Sequence, residues 1–197
     1  MESVILAMAT FAFVGAVTPG PVNILATSTA ANSGMLEAAK HVLGASLAYA
    51  FVVYCSGSVM NGLLQVLPKL EGVMQVGGSA YLFYLAYKIF TAPTTSMKTS
   101  SSIRSGLMTG SLTQLLNPKA WLVAMSGVGL FVVGRGDEAL YLLIFTSVSL
   151  VLCLVGVGVW AALGTVLATR LENPKQQRDF NRVMGGLLAV SVVMIWT

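Results

Sequence analysis

Long stretches without a charged residue are the feature that most limits what this chain can fold into. No Asp, Glu, Lys or Arg occurs from Ser3 to Leu36, and none occurs from Ala139 to Thr169. A helix rises about 1.5 Å per residue, so about 20 mostly apolar residues cross the hydrocarbon core of a membrane. Both stretches exceed that length, and they predict helices that span a lipid bilayer.

The composition argues against an ordinary soluble domain. Hydrophobic residues make up 56% of the chain and charged residues only 9%, whereas soluble domains carry about 25% charged residues. We therefore interpret residues 1–197 as a single membrane domain. The apolar N-terminal run follows only Glu2 and lacks the basic segment of a signal peptide, so we take it as the first span. The small net charge of +4 indicates no nucleic-acid partner, and no motif calls for a cofactor or a metal.

Turn-forming clusters divide the chain into six predicted helices, which defines the expected fold class as an all-α integral membrane protein. The clusters include Asn61-Gly62 through Pro68-Lys69, and Gly134-Arg135-Gly136. The predicted helices cover residues 2–32, 36–60, 70–92, 104–134, 137–169 and 178–197.

The distribution of basic residues predicts the orientation, because cytoplasmic loops retain Lys and Arg. The first, third and fifth loops hold eight basic residues, and the second and fourth hold two. We therefore expect a multi-pass protein with both termini outside. Trp196 would then lie at the outer interface, where aromatic anchors are common.

The first and fourth predicted segments are too long and carry helix breakers near their middle. Each runs about 31 residues, or roughly 46 Å as a straight helix, against a hydrocarbon core near 30 Å. Thr18-Pro19-Gly20-Pro21 interrupts the first, and Asn117-Pro118-Lys119 interrupts the fourth. Proline lacks a backbone N–H and clashes with the carbonyl four residues earlier. We therefore predict two broken spans.

The two breaks stand in matching places. Pro19 and Pro118 are 99 residues apart, about half the chain. Repeat 1 would cover about 1–92, a cytoplasmic linker 93–103, and repeat 2 about 104–197. Because each repeat holds three spans, the second crosses the membrane in the opposite sense. This is the inverted-repeat arrangement of many secondary transporters.

A broken helix in lipid exposes backbone groups, which persist only where protein or a watery cavity covers them. The half-helix that begins near Pro21 presents a positive dipole end suited to a carboxylate. Carbonyls freed before each break suit an ammonium group. Because an amino acid carries both charges close together, the sequence predicts an amino-acid site.

Lys119 is a lone charge at membrane depth. Such a lysine costs about 3 kcal/mol or more unless it faces a cavity or a partner. We predict that it pairs with the carboxylate of a substrate, and the alternative is a lysine that snorkels to the cytoplasmic interface. The predicted substrate-binding residues are Thr18, Pro19, Gly20, Pro21, Asn23, Gln114, Asn117, Pro118 and Lys119.

Four further features have two interpretations each. Ser111 and Thr113 could bind substrate or could join helices. His41 could relay protons or could be a solvated residue at a helix end. Gly106 and Gly110 form a G-x-x-x-G, which lets helices approach closely but does not by itself indicate a dimer. A homo-oligomer is compatible with the sequence.

The chain resembles the lysine exporter (LysE/RhtB) superfamily of bacterial amino-acid exporters over essentially its whole length. The motifs that carry the resemblance are Thr18-Pro19-Gly20-Pro21-Val22-Asn23, Gly34, Gly77-Gly78-Ser79-Ala80-Tyr81-Leu82, and Gly106-Leu107 with Leu116-Asn117-Pro118-Lys119-Ala120. The resemblance implies six spans in the bacterial inner membrane. It also implies export of an amino acid or a derivative, driven by the proton gradient.

One departure from the family pattern bears on the substrate. Many relatives carry an acidic residue shortly after the glycine that is Gly44 here, but this chain reads Gly44-Ala45-Ser46-Leu47-Ala48-Tyr49. The pattern is similar to the branch that exports cysteine and O-acetylserine. It favours a neutral substrate, of the cysteine/O-acetylserine or the threonine/homoserine type.

Two rival functions remain open on the sequence. A membrane thiol-disulfide carrier would use Cys55 and Cys153, which must bring their Cα atoms within about 7 Å of each other. We expect Cys55 near the outer end of its helix, Cys153 near the middle of its own, and neither beside a break. A passive channel is the other rival, although no ring of charged residues indicates a conducting pore. We expect no enzyme activity.

Overall fold

Helices account for almost all of the part of the chain that the computed structural model describes, which is residues 2–58, 60–92, 106–171 and 173–193. No strand occurs in these ranges, so the all-helical prediction is confirmed there. The helices are α1 (Glu2–Val17), α2 (Pro21–Ser33), α3 (Met35–Ser58), α4 (Met60–Phe90), α5 (Gly106–Leu115), α6 (Pro118–Phe131), α7 (Glu138–Ala168) and α8 (Pro174–Val193).

Two of these helices, α3 and α7, are by themselves long and apolar enough to cross a membrane. The number is three when α1 and α2, which meet at an angle of 60°, are counted as one bent span. These numbers refer to the described ranges alone. The arrangement of six spans therefore stays a prediction.

The predicted loop at 61–69 is wrong. The backbone of α4 is helical from Met60 to Phe90, so the Asn-Gly and Pro-Lys signals lie inside a helix. The turn propensity of single residues is a weak signal that the rest of a helix can override, and a membrane helix tolerates an internal proline or glycine. The predicted linker 93–103 and Trp196 lie outside the described residues.

Both predicted interruptions are present. The first span is interrupted between Val17 and Pro21, where Gly20 adopts an extended backbone. The fourth predicted span is interrupted between Leu115 and Pro118. The breaker motifs therefore act as proline chemistry predicts.

Helices α3 and α7 pack against each other at the centre of the structure. Around them, α1 and α2 contact α7, whereas α5 and α6 contact α3. Apolar residues of these six helices form the larger core, which includes Met8, Val52, Val128 and Phe145. A smaller core joins α2, α4 and α8 through Leu25, Leu85 and Leu188. Both broken spans are thus held against continuous helices.

Glycines allow α3 and α5 to touch backbone to backbone. A Cβ atom on Gly110 would overlap the carbonyl oxygen of His41, and one on Gly106 would overlap that of Glu37. A Cβ on Gly44 would likewise overlap the carbonyl oxygen of Leu107. The G-x-x-x-G motif at Gly106 therefore joins two helices of one chain.

We predict that Gly110→Ala lowers the stability of the folded protein by about 1–3 kcal/mol, because the added methyl group forces α3 and α5 apart. Gly129→Ala is the matched control, since no atom lies within 4 Å of its added Cβ. Alanine is the better helix former by about 1 kcal/mol, so the control should be neutral or stabilising. Thermal unfolding in detergent measures both, and equal midpoints would contradict the tight contact.

Candidate functional site

The carbonyl groups freed at the first break are bound by two side chains. Asn23 Nδ2 donates to the carbonyl oxygens of Ala16 and Thr18, at 2.9 Å each. Trp160 Nε1 donates from α7 to the Val17 carbonyl at 3.1 Å. The Trp160 carbonyl in turn accepts from Thr27 of α2 at 3.0 Å, so Trp160 contacts both halves of the broken span.

The second break is bound in a similar way. Trp121 Nε1 donates to the Leu115 carbonyl, the last of α5, at 2.9 Å. Asn117 precedes α6, and its side-chain oxygen accepts from the backbone N–H of Lys119 at 3.2 Å. The Leu116 carbonyl faces Gly78, where a Cβ would stand only 2.6 Å away. Glycine at position 78 therefore lets α4 pack against this break.

The N-termini of α2 and α6 differ in one respect. The side chain of Asn117 caps α6, whereas the residue before α2 is Gly20, which has no side chain to cap it. Ile24 N–H donates to the Gly20 carbonyl at 3.0 Å, and within the described residues the N–H groups of Val22 and Asn23 have no acceptor. Unsatisfied N–H groups and a positive dipole end favour an anion.

Lys119 reaches from the second break to the first. Its Nζ lies 4.0 Å from the point where a Cβ on Gly20 would stand. The protein leaves this side chain accessible, and no carboxylate in the described part of the chain pairs with it. An ammonium group and an uncapped helix N-terminus therefore lie side by side.

A cavity of about 50 Å³ lies between the two breaks. Since a water needs roughly 10–15 Å³ measured this way, the cavity has room for a few small groups. Seven of the nine predicted site residues line it, namely Thr18, Gly20, Pro21, Asn23, Gln114, Asn117 and Lys119. Pro19 and Pro118 are not among its walls. They break the helices without lining the cavity.

Two other candidate side chains bond to backbone carbonyls, one on a neighbouring helix and one on its own helix. Ser111 Oγ donates to the Gly44 carbonyl of α3 at 3.1 Å. Thr113 Oγ1 donates to the Thr109 carbonyl of its own helix at 2.7 Å. Neither residue lines the cavity.

Several wall residues were not predicted from the sequence. Five of them belong to the broken spans near the breaker motifs, and three belong to α3 and α7, which those motifs do not mark. The remaining walls are Gly15, Ala16, Val22, Tyr49, Ala120, Val123, Cys153 and Val157. Tyr49 and Cys153 are almost fully buried, at 7% and 3% exposure. These residues could be found only by knowing which positions face another helix, and a single sequence does not show which helices face each other.

Cys153 thus lies beside the breaks, contrary to the expectation that neither cysteine does. Its thiol is near Ser46 and Tyr49 of α3. Cys55 is six residues beyond Tyr49, which is roughly 9 Å along the helix axis. Both cysteines are unpaired thiols. Because Cys153 lies near Tyr49, an offset of this size puts Cys55 beyond the reach of a disulfide with Cys153 without backbone movement.

His41 is not solvated, so that interpretation is wrong. Its side chain is 0% exposed, because α2 and α5 both pack over it. Nε2 lies 3.1 Å from the Val22 carbonyl, and since a carbonyl only accepts, Nε2 carries the proton. Helix α3 therefore anchors the start of α2 through this ring.

We predict that Asn23→Ala destabilises the protein by about 1–3 kcal/mol, because two buried carbonyls lose their donor. Asn32→Ala is the control on the same helix, since Asn32 bonds only to Ser28 one turn earlier, at 3.0 Å to its carbonyl. The control should change stability by about 0.5 kcal/mol or less. Thermal midpoints in detergent compare the two, and equal losses would contradict the role of Asn23 at the break.

Comparison with known proteins places the chain in a family. It is 29% identical over 189 residues to the cysteine/O-acetylserine efflux proteins of Escherichia coli K12 and Shigella sonnei, covering 95% of this chain and 94% of each relative. No solved structure matches the chain. The profile of the LysE-type translocators matches residues 13–195. The protein therefore belongs to the LysE family of membrane translocators, which are transporters and not an enzyme class.

Proposed function

We propose that this protein is a secondary exporter of a small neutral amino acid or amino-acid derivative. The observation that carries the proposal is the meeting of Lys119 Nζ with the uncapped start of α2 in one cavity. The efflux proteins of Escherichia coli and Shigella support the substrate class, which we take to be of the cysteine/O-acetylserine type, or else threonine/homoserine. Translocation of such a molecule across the bacterial inner membrane is the activity we assign.

The carboxylate of the substrate binds at the start of α2. The N–H groups of Val22 and Asn23 lack acceptors in the described structure, and the helix dipole adds partial positive charge. Lys119 supplies a full charge beside them. A charge-assisted hydrogen bond is about twice as strong as a neutral one, so an anion is favoured over a neutral oxygen.

The ammonium group of the substrate binds carbonyl oxygens of the first break. Pro19 has no N–H, so the carbonyl of Gly15 loses the donor that a regular helix would give it. Gly15 and Ala16 both line the cavity. The ammonium of an amino acid is separated from its carboxylate by one carbon, and the two ends of the break present the matching partial charges.

The side chain of the substrate then faces Tyr49, Cys153 and Val157. Among the cavity walls only Lys119 is charged. A second charge on the substrate would have no partner there, and an unpaired charge in such a site is strongly unfavourable. The site therefore selects a short, uncharged side chain.

Six spans arranged as two inverted repeats fit the packing of the helices. Helix α1 contacts α7 as α5 contacts α3, and α2 contacts α7 as α6 contacts α3. Helix α2 also contacts α8 as α6 contacts α4. These three contacts between the halves thus have counterparts with the roles exchanged, which supports a two-fold relation between residues 1–92 and 104–197. The positions of the basic residues, and not the packing, are the basis for placing both termini outside.

Three phenylalanines support a barrier between the cavity and the outer face. Phe11 of α1 and Phe131 of α6 have ring centroids 5.6 Å apart, and Phe145 of α7 lies 5.6 Å from Phe131. These residues lie towards the helix ends that the basic residues predict to be outside. A transporter alternates access between two sides, so such packing closes one side while the other is open.

We predict that Lys119→Gln lowers kcat/KM for efflux by roughly 10–100-fold, because a hydrogen bond from a charged group is worth about 1.5–3 kcal/mol. Lys88→Gln is the control, since Lys88 lies over the ring of Tyr84 at the end of α4. Efflux of a labelled amino acid from cells producing equal amounts of protein measures both. Wild-type efflux by Lys119→Gln would exclude the counter-charge.

The double substitution of Pro19 and Pro21 by alanine should lower the affinity for substrate by at least the roughly 10–100-fold expected for kcat/KM in Lys119→Gln. The reason is that restored N–H donors let the helix continue through the break. Pro68→Ala removes a proline inside the unbroken helix α4 and should leave affinity unchanged. Calorimetric titration in detergent compares them. Unchanged affinity in the double variant would contradict a site made by the break.

Two transport experiments separate the exporter from its rivals, the passive channel and the thiol carrier. Collapse of the proton gradient in proteoliposomes stops a coupled exporter, whereas a passive channel continues with non-saturating flux. Replacement of Cys55 and Cys153 by serine abolishes a thiol carrier, but an exporter retains transport. An efflux screen of labelled amino acids then identifies the substrate.

A further inference from the structure

Three buried hydroxyl groups of α3 and α7 have no hydrogen-bond partner within the ranges that the structure covers. Ser56 belongs to α3, and Thr146 and Ser149 belong to α7. Ser56 and Ser149 are 0% exposed, and the Thr146 hydroxyl oxygen is shielded as well. Buried hydroxyls are almost always paired, and an unpaired one indicates a missing water or ligand. We call these three residues the hydroxyl row.

Other hydroxyls of α7 donate to a carbonyl of the preceding turn. Ser147 Oγ donates to the Leu143 carbonyl at 2.9 Å, and Thr165 Oγ1 donates to the Ala161 carbonyl at 3.2 Å. This bond to the preceding turn is the usual solution for a helix in an apolar surrounding. Ser147 stands between Thr146 and Ser149, so the helix face, and not the residue type, distinguishes the row.

The register of α3 and α7 orders the row. A Cβ on Gly57 would meet Leu142, whereas Ser46 and Tyr49 lie beside Cys153. The two helices therefore run antiparallel. Eleven residues separate Leu142 from Cys153, which is roughly 16 Å along α7, and the row lies within that length.

One end of the row lies about one helical turn from the cavity, because Ser149 is four residues before Cys153 on α7. Tyr49 and Cys153 line the cavity, and Ser46 lies beside Cys153. The other end lies where α3 ends and α7 begins. Along the neighbouring surface of α1 and α6 the side chains are apolar, with Met8, Phe11, Val128 and Phe131 in the core. The hydroxyl row therefore supplies the polar groups that lead out of the cavity, whereas that surface of α1 and α6 supplies none.

We propose that the hydroxyl row lines the route by which the substrate passes between the cavity and the outer face when the phenylalanine barrier opens. This route rests on the proposed function, which supplies the substrate, and on the predicted orientation, which places its far end at the outer face. A zwitterion that leaves the cavity needs hydrogen-bonding partners along its path, because dry apolar walls would strip its water without replacement. Three unpaired hydroxyls supply such partners when the outer side is open.

The native thiol Cys153 is the reporter for this route. In a Cys55→Ser background it is the single cysteine of the chain. A small, charged, membrane-impermeant methanethiosulfonate is added to the outer side of spheroplasts, and the rate at which Cys153 is modified is measured. We expect modification from the outer side. Ser149→Val should slow it about tenfold or more, because an apolar group then occupies the polar route.

Ser147→Val is the matched control, since it makes the same change two residues away on the exposed face of α7. It should leave the rate unchanged. Ser56→Val repeats the test from α3 and replaces Ser149→Val if that variant does not fold. Equal rates in the row variants and in the control would overturn the route, as would modification of Cys153 from the cytoplasmic side alone.

Efflux measured in the same cells reports separately on the proposed function. Outer-side modification that Ser149→Val slows, in cells that export no amino acid, would support the route and contradict the exporter. Export by cells in which Cys153 is never modified from outside would overturn the route alone.

Discussion

Every interruption of a helix inside a membrane leaves backbone groups that lipid cannot satisfy, and this structure is organised around that constraint. The two breaks free carbonyls at the ends of α1 and α5 and N–H groups at the starts of α2 and α6. Asn23 bonds to two of the carbonyls, and Trp160 and Trp121 each bond to one more. Because an unsatisfied group costs several kcal/mol in hydrocarbon, these side chains make the breaks stable.

The backbone groups at the breaks that no side chain satisfies are free to bind a ligand. The start of α6 is capped by Asn117, whereas the start of α2 has no side-chain cap. The ammonium of Lys119 extends across to that uncapped end. The asymmetry gives the cavity a direction, with positive charge at one side and the carbonyl of Gly15 at the other. We infer that a small zwitterion is recognised by main-chain dipoles together with a single side-chain charge.

The sequence predicted those parts of the fold and site that depend on local chemistry. Proline geometry placed both breaks, and apolar stretches indicated α3 and α7 as spans. Tyr49, Cys153 and Trp160 reach the site through contacts across more than a hundred residues, which no local pattern reveals. The loop predicted at 61–69 was wrong because the turn propensity of single residues is a weak signal, and here the helix continues through the proline and the glycine. The sequence leaves two interpretations open for His41, and the solvated one is wrong because glycines of α5 let that helix pack against His41.

Competitive binding of amino-acid derivatives tests the zwitterion claim most directly. The affinity of the purified protein is measured for the best exported amino acid, for its methyl ester, which lacks the carboxylate, and for its N-acetyl form, which lacks the ammonium. The account predicts that both derivatives bind at least about tenfold more weakly, since each loses a charge-assisted hydrogen bond. Equal affinity for the amino acid and its methyl ester would contradict it.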